Sequence, residues 1–518
     1  MKNRFKNILL ILGLFSLAFV SCEDKIDPLI EELQFERVFT PLDLTVRIRN
    51  MTTAELTWSL RDDADYYVVE ISENAFASTV VTRNVDPGEV PVSIQLDGET
   101  AYSARVKGVS ESGMNDSKWA EVNFMTNPEN IFLPVQDGDV DALYAILRWP
   151  AGSDVTHLLI NGQTQRILTA DEKEAGVALI EGLTGETTYT VNLFRDTKER
   201  GTVIFTTLID VGNATRVYPE DDLSAVVADA APGDVLVLYP GEYLVYTGAL
   251  TLNKSISIRG LYPYDKPVVH IQFSIEAGAQ DVTISDLELD GDGTLIDVFR
   301  FNTAGLEYGS LVISGCNIHD YDRSFVAGNV ASKVTSVSID NSLITNILTN
   351  GGDFIDFRTT YLANLSITNS TFNKCAPARD FIRMDAAAAY SGTGLTSTVL
   401  IDRCTIIGAC NTEASTRRLL YVRFLNNSLT VRNTLIAATI GFYSNQANTS
   451  QPAFLNNNYY EAPWFYQYLE GQSTTNFKYD TSNYTTLNPG FTNAPGGDFT
   501  VTNQTLLDNA VGDPRWRP

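Results

Sequence analysis

Arginine, aspartate and aromatic side chains recur at fixed positions of a five-residue phrase that appears five times between residues 298 and 425. The copies are Val298-Phe-Arg-Phe-Asn, Phe325-Val-Ala-Gly-Asn, Phe354-Ile-Asp-Phe-Arg, Phe381-Ile-Arg-Met-Asp and Tyr421-Val-Arg-Phe-Leu. Read with period two, they turn Phe299 and Phe301, Ile355 and Phe357, Ile382 and Met384, and Val422 and Phe424 inward. Three columns then face outward. The first is Val298, Phe325, Phe354, Phe381 and Tyr421. The second is Arg300, Ala327, Asp356, Arg383 and Arg423, and the third is Asn302, Asn329, Arg358, Asp385 and Leu425. With rungs about 4.8 Å apart, Asp356 is expected beside Arg383, and Arg358 beside Asp385. Flat aromatic faces suit sugar C–H groups, and guanidinium forks grip carboxylates through paired hydrogen bonds. A saccharide or uronate chain fits such a wall. The residues expected to touch it are Arg300, Phe354, Asp356, Arg358, Phe381, Arg383, Asp385, Tyr421 and Arg423. The competing reading is a salt-bridge ladder on a solvated wall under a covering loop.

A wall of this kind needs a frame that repeats rung by rung. Six phrases supply it, starting at Val282, Leu311, Val337, Leu365, Val399 and Leu429, with spacings of 29, 26, 28, 34 and 30 residues. In each, the first and third residues are apolar, as in Val282 and Ile284 or Leu365 and Ile367. A constant strand with loops of variable length predicts a parallel solenoid, in which each coil completes the strand edge and core of the next. The fifth position is Asn in three copies (Asn341, Asn369, Asn433), which are expected to hydrogen-bond up the stack at a bend. The sixth is usually small: Cys316, Ser342, Ser370, Cys404, Thr434. Cys316, Cys375, Cys404 and Cys410 are expected as buried free thiols, and no pair has zinc-ligand spacing.

The rest of the chemical inventory is sparse. His157 and His270 lie in strands, and His319-Asp320 sits at a coil bend. Glu288, Asp290 and Asp292 resemble an oxygen-rich Ca²⁺ set, but a plain Asp-Gly-Asp-Gly turn explains them, and no metal or cofactor is expected. The aromatic block from Asn456 to Tyr468 is expected to cap the last coil, with a sugar-stacking platform as the alternative.

Composition narrows the partners. The 518 residues are 44% hydrophobic and carry a net charge of −26, which argues against nucleic acid, since phosphate binding needs a basic footprint. Residues 298–432 depart from this, with 12 Lys+Arg against 10 Asp+Glu, a local balance of +2. An anionic or neutral glycan is favoured there.

The chain opens Met1-Lys-Asn-Arg-Phe-Lys, then runs apolar from Ile8 to Val20, too short to span a bilayer comfortably. Phe19-Val20-Ser21-Cys22 resembles a bacterial lipoprotein box, with Phe19 where Leu is usual. The resemblance implies a signal peptide over 1–21, lipid on Cys22 and a linker over 22–37. Glu23-Asp24 resembles the tag of lipoproteins exported to the outer face of some Gram-negative outer membranes. Two segments then match each other. One has Trp58 and Leu96-Asp-Gly-Glu-Thr-Ala-Tyr102; the other has Trp149 and Leu183-Thr-Gly-Glu-Thr-Thr-Tyr189. They resemble fibronectin type III modules with their tyrosine corner, over 38–127 and, diverged, 128–208. Their residues are expected to be core.

The solenoid is expected over 209–518, opened by an amphipathic helix at Leu223-Ser-Ala-Val-Val-Ala-Asp-Ala that caps its first coil. Ala231-Pro-Gly-Asp-Val-Leu-Val-Leu-Tyr-Pro-Gly-Glu-Tyr243 resembles the opening of pectate-lyase-like right-handed β-helices. Asn488-Pro-Gly-Phe, Gly497-Asp-Phe-Thr-Val and Val511-Gly-Asp-Pro-Arg-Trp516 resemble the tail of surface lipoproteins that pair fibronectin-like modules with such a helix, whose domains are of unknown function. The implied fold is all-β: two sandwiches followed by a right-handed parallel β-helix.

Lyases of this fold need a base beside the uronate and Ca²⁺ or Arg to neutralise it. Their Lys–Arg pair does not map here, because Lys333 and Lys374 fall in loops or bends. Arg383, oriented by Asp356 and Asp385, is the only candidate base. Pectin hydrolases use clustered aspartates, as Asp353, Asp356, Asp380 and Asp385 would be, although interleaved arginines neutralise them. The expected function is therefore non-catalytic capture of an extracellular polysaccharide. The rivals are a uronate polysaccharide lyase, with Ca²⁺ if so, and an adhesin or scaffold.

Overall fold

The computed structural model describes residues 36–385, 388–390, 392–414 and 416–517. The expected leader, Cys22 and nearly all of the linker lie outside them. Two compact units are formed; the first holds both sandwiches, and the second, with residues 141–143 and 183–187, holds the solenoid.

In the first sandwich, strands Leu42–Arg49, Thr53–Ser59 and Val92–Gln95 form one sheet. Val81–Val85, Tyr66–Ser72, Ala101–Val109 and Ala120–Met125 form the other. Three against four is the fibronectin type III arrangement. Alternation explains the core: Ala54, Leu56 and Trp58 from one sheet meet Tyr67, Val69, Ile71, Ala104 and Val106 from the other. The Tyr102 hydroxyl accepts a hydrogen bond from the Asp97 N–H at 3.2 Å, closing the predicted corner. The second sandwich is smaller, with a two-stranded sheet (Tyr144–Arg148, Val177–Glu181) and a four-stranded one built around His157–Ile160 and Thr188–Arg195. Trp149 is buried in it.

The solenoid is a three-faced stack of parallel strands. The first face is a ten-stranded sheet running from Thr215–Val217 to Ala453–Leu455. All six predicted phrases lie on it in one register: Val282, Leu311, Val337, Leu365, Val399 and Leu429 stand one above another. The second face runs through Glu288–Asp290, Asn317–Tyr321, Leu343–Ile347, Thr371–Asn373, Thr405–Ile407, Leu435–Ala437 and Asn458–Tyr460. The third is Asp297–Phe301, Ser324–Gly328, Ile355–Phe357, Ile382–Met384 and Leu420–Val422. One apolar cluster fills the interior along its whole length.

The bends explain the asparagines. The fifth position of the phrase has positive φ in every coil: Asp286 (56°), Gly315 (64°), Asn341 (45°), Asn369 (47°), Arg403 (54°) and Asn433 (49°). Asn tolerates this region better than other side chains. The stacked bonds run mainly to aspartates one residue earlier in the repeat. Asn369 donates to Asp340 at 2.8 Å and Asn433 to Asp402 at 2.9 Å, while Asn456 donates to Asn433 at 3.0 Å. Arg403 is the misfit. Arg403→Gly is expected to raise unfolding stability by about 1 kcal/mol, readable as a shift in denaturant midpoint. At the sixth position, small polar side chains take up backbone N–H groups of the neighbouring coil: Cys316 donates to the Ser342 hydroxyl at 3.2 Å and Ser342 to that of Ser370 at 3.1 Å. The four described cysteines are free and buried.

Both ends are sealed. Helix Leu223–Asp229 buries Leu223 and Val227 in the solenoid core. Lys254 Nζ caps its C-terminal end, donating to the carbonyls of Val227, Ala228 and Ala230. At the far end Tyr459 and Phe465 are buried with Tyr443, and the Tyr459 hydroxyl donates to Asp480 at 2.6 Å. The aromatic block is thus a cap. The final segment runs back over the second face: Thr371 Oγ1 donates to Asp513, and Asp513 N–H donates to Thr405 Oγ1.

Candidate functional site

The third face carries the arginine wall. Its register is Phe299, Val326, Ile355, Ile382, Leu420 inside and Arg300, Ala327, Asp356, Arg383, Tyr421 outside. Asp356 does stand beside Arg383, as expected. Three expectations need correction.

Phe354 and Phe381 do not face outward. Both are fully buried, stacked on each other with ring centres 4.5 Å apart and edge-on to Phe372 of the second face. Phe325 extends the stack. Period two holds only within a strand, and these residues precede the first ladder residues, Ile355 and Ile382. At that corner the chain turns them into the interior.

The last copy is displaced by two residues. Tyr421 pairs with Arg383, and Leu419 takes the place opposite Phe381. An even slip keeps each side chain on its face, so Tyr421 remains on the outside but within the charged column. Asp356 is also unavailable to a ligand, at 2% exposure.

What remains is a layered ion-pair network. The carboxylates lie beneath and the guanidiniums above. Asp297, Asp353, Asp356 and Asp380 have side chains 1–4% exposed, whereas Arg300, Arg323, Arg358, Arg383 and Arg423 are 22–43% exposed. Asp297 accepts from Arg300 Nε at 2.7 Å and from Arg323 at 2.9 and 2.6 Å. Arg358 Nε donates to Asp356 at 2.7 Å. Asp353 is shared by Arg358 and Arg383, each at 3.3 Å. Arg383 also makes a forked pair with Asp385 at 2.9 and 2.7 Å, rather than leaving Asp385 to Arg358. Arg418 forks onto Asp380 at 2.9 and 2.8 Å. The Tyr421 ring has three guanidiniums around it, with Arg418 at 4.2 Å, Arg383 at 5.2 Å and Arg423 at 5.7 Å. The Tyr421 hydroxyl accepts from Arg423 at 3.1 Å.

Six arginines thus meet five aspartates, with the positive groups outermost. Burial works against the charge of Arg383, but the bonds and charges of Asp385 and Asp353 outweigh it and raise its pKa further. Burial pushes the Asp353 carboxyl above its ordinary value, helped by Asp356 and Asp380 and opposed by Arg383 and Arg358. Arg383 therefore holds its proton and has no free pair with which to act as a base. Arg323, Asp297 and Arg418 belong to the wall but escape the five-residue phrase, because they sit at or before the corner. The signal in the sequence is an Asp before the inward corner residue in three of the five rungs: Asp297-Val298, Asp353-Phe354, Asp380-Phe381.

Two family models match the solenoid. A domain of unknown function (DUF4957) covers residues 241–374, and another (DUF5123) covers 399–516. No curated protein matches the chain. Solved structures similar to it include a two-fibronectin type III segment of chicken tenascin, at 18% identity and TM-score 0.23, covering 32% of this chain and 99% of that one. The FN1–FN3 domains of chicken CNTN1 align at 13% identity and TM-score 0.16, covering 34% and 69%. The central fibronectin III array of RIM-binding protein aligns at 20% and TM-score 0.14, covering 32% and 60%. Over its solenoid the chain is similar to two domain families of unknown function.

Proposed function

We propose that this protein captures an anionic, uronate-containing extracellular polysaccharide along the third face of its solenoid, without cleaving it. In this reading the chain is a lipoprotein, held through Cys22 at the outer face of an outer membrane, with the sandwiches as spacers. The observation that carries it is the layering of the wall. Guanidinium edges reach solvent while their carboxylates are sealed beneath, so an acidic polymer meets donors first, in a chain whose net charge is −26. Partly paired guanidiniums keep spare N–H donors for a second carboxylate. Tyr421 supplies an aromatic ring among them. Rung spacing of about 4.8 Å is close to the length of a hexose unit, so successive arginines can follow one polymer.

Capture is favoured over lyase chemistry by the state of Arg383, which is doubly paired and fully protonated. Affinity gels of the mature protein with polygalacturonate, alginate and chondroitin should show retarded migration, and a neutral glucan should not retard it. Arg383→Ala with Arg423→Ala should weaken retention by about tenfold or more, one lost charge-assisted contact being worth roughly 1.5–3 kcal/mol. Absorbance of 4,5-unsaturated uronate should stay flat, with or without Ca²⁺. Failure of every acidic glycan to retard the protein removes the capture reading. A rising absorbance that Arg383→Ala abolishes replaces it with a lyase.

A further inference from the structure

The second face carries a cluster that the arginine wall does not use. Register pairs Val269 with Leu289 and Asp290 with His319, so His270, Asp290 and His319 follow one another on the outer side of three successive strands. His319 Nδ1 lies 2.8 Å from Asp320 Oδ2 and 3.6 Å from Asp290 Oδ1. His270 Nδ1 lies 2.9 Å from Asp292 Oδ2. The remaining imidazole nitrogens face Glu288 and Glu242, each at 3.3 Å.

We propose that His319 Nδ1 and the carboxylates of Asp290 and Asp320 form a binding site for a first-row divalent transition metal of the zinc class. One donor atom from each lies within 4.8 Å of the others. Donors on a tetrahedral ion at 2.0–2.1 Å stand about 3.3 Å apart, and the two distances from His319 bracket that value. The outer partners are in place as well. Asn346 Nδ2 donates to Asp320 Oδ1, and Glu288 faces His319 Nε2, so Nε2–H keeps a carboxylate acceptor when an ion displaces the proton that Nδ1 shares with Asp320.

Charge points the same way. Glu242, Glu288, Asp290, Asp292 and Asp320 gather around two imidazoles, which are their only salt-bridge partners among the described residues. On the arginine wall, by contrast, every aspartate has a guanidinium. Five carboxylates around two imidazoles leave a negative excess that a divalent cation would neutralise. The site is reachable, because the side chains of His319, Asp290 and Asp320 are 27%, 25% and 42% exposed, and His319 and Asp320 also line an open hollow of about 290 Å³ with Glu288, Asn317, Leu343 and Thr345. An imidazole with two carboxylates suits zinc-class ions, whereas Ca²⁺ takes six to eight oxygens. Solvent would complete the shell.

The test is calorimetric titration of ZnCl₂ into the EDTA-stripped mature chain, with thermal unfolding alongside. One zinc per chain should bind and raise the unfolding temperature, and millimolar Ca²⁺ should not displace it. His319→Ala and Asp320→Asn should each weaken binding by about 100-fold, and the outer-partner variant Asn346→Ala by about 10-fold. His270→Ala should leave it within a few-fold of wild type. Circular dichroism of each metal-free variant reports folding; should His319→Ala not fold, Asp320→Asn and Asn346→Ala carry the test. Co²⁺ should give the visible bands of a four-coordinate site. Absence of zinc binding by the wild type, equal affinity in the folded site variants, or loss in His270→Ala alone would each overturn the assignment.

Discussion

Phe354→Ala is expected to destabilise the solenoid by about 3–5 kcal/mol, the range for removing a large aromatic ring from a packed core. The ring is fully buried and touches Phe325, Phe372 and Phe381, so its loss opens a cavity between two faces of the stack. Phe381→Ala belongs in the same range. Denaturant unfolding of the mature chain would show the effect as an early loss of the solenoid transition, while the sandwiches, which form a separate unit, unfold as before. Phe354→Leu should recover much of the loss, since it restores apolar volume but not the stack. Were these phenylalanines sugar-stacking surface residues, alanine would leave stability within about 0.5 kcal/mol.

Arg418→Ala should be nearly as damaging. Its side chain is 11% exposed and that of Asp380 only 2%, and the two share forked bonds, with the Arg418 N–H also donating to Asp380 at 2.8 Å. Removing the guanidinium strands a buried carboxylate, a loss of about 3–5 kcal/mol. Asp380→Asn combined with Arg418→Met, which removes both charges, should regain part of it. Arg423→Ala is the internal contrast. It is 43% exposed and bonds Asp385 at 3.4 Å, so its cost should stay below about 1 kcal/mol. The wall therefore divides in two: Arg418 holds the corner together, and Arg358, Arg383 and Arg423 present charge to solvent.

The solenoid was legible because its first face has a strict alternation that survives loop variation. Val282, Leu311, Val337, Leu365, Val399 and Leu429 align in the sequence as they do in space. The bends were legible through Asn341, Asn369 and Asn433, although the reason lies in backbone conformation more than in a side-chain ladder. The third face was harder. Its strands are three to five residues long, so the ends of the phrases lie at corners, where alternation carries no information. Period two therefore does not place Phe354 and Phe381, which precede their strands. The pattern puts Tyr421 on the right face but one column away from its place beside Arg383, because the even slip in the last rung leaves the hydrophobic pattern intact. Arg418 pairs with an aspartate 38 residues earlier, which no local pattern announces. The histidines show the same limit: Asp290 and His319 are neighbours only through the register of two strands with a full turn of the solenoid between them.

Arginine-selective labelling most directly tests whether the third face is the binding strip. The mature protein would be treated with phenylglyoxal, with and without polygalacturonate, and modification read residue by residue by mass spectrometry. Polymer should slow labelling of Arg358, Arg383 and Arg423, and leave Arg403, 47% exposed at a bend, and Arg432, 44% exposed at the end of a first-face strand, labelled at their original rates. Protection confined to Arg403 and Arg432, or bound polymer that protects none of the three wall arginines, would contradict it.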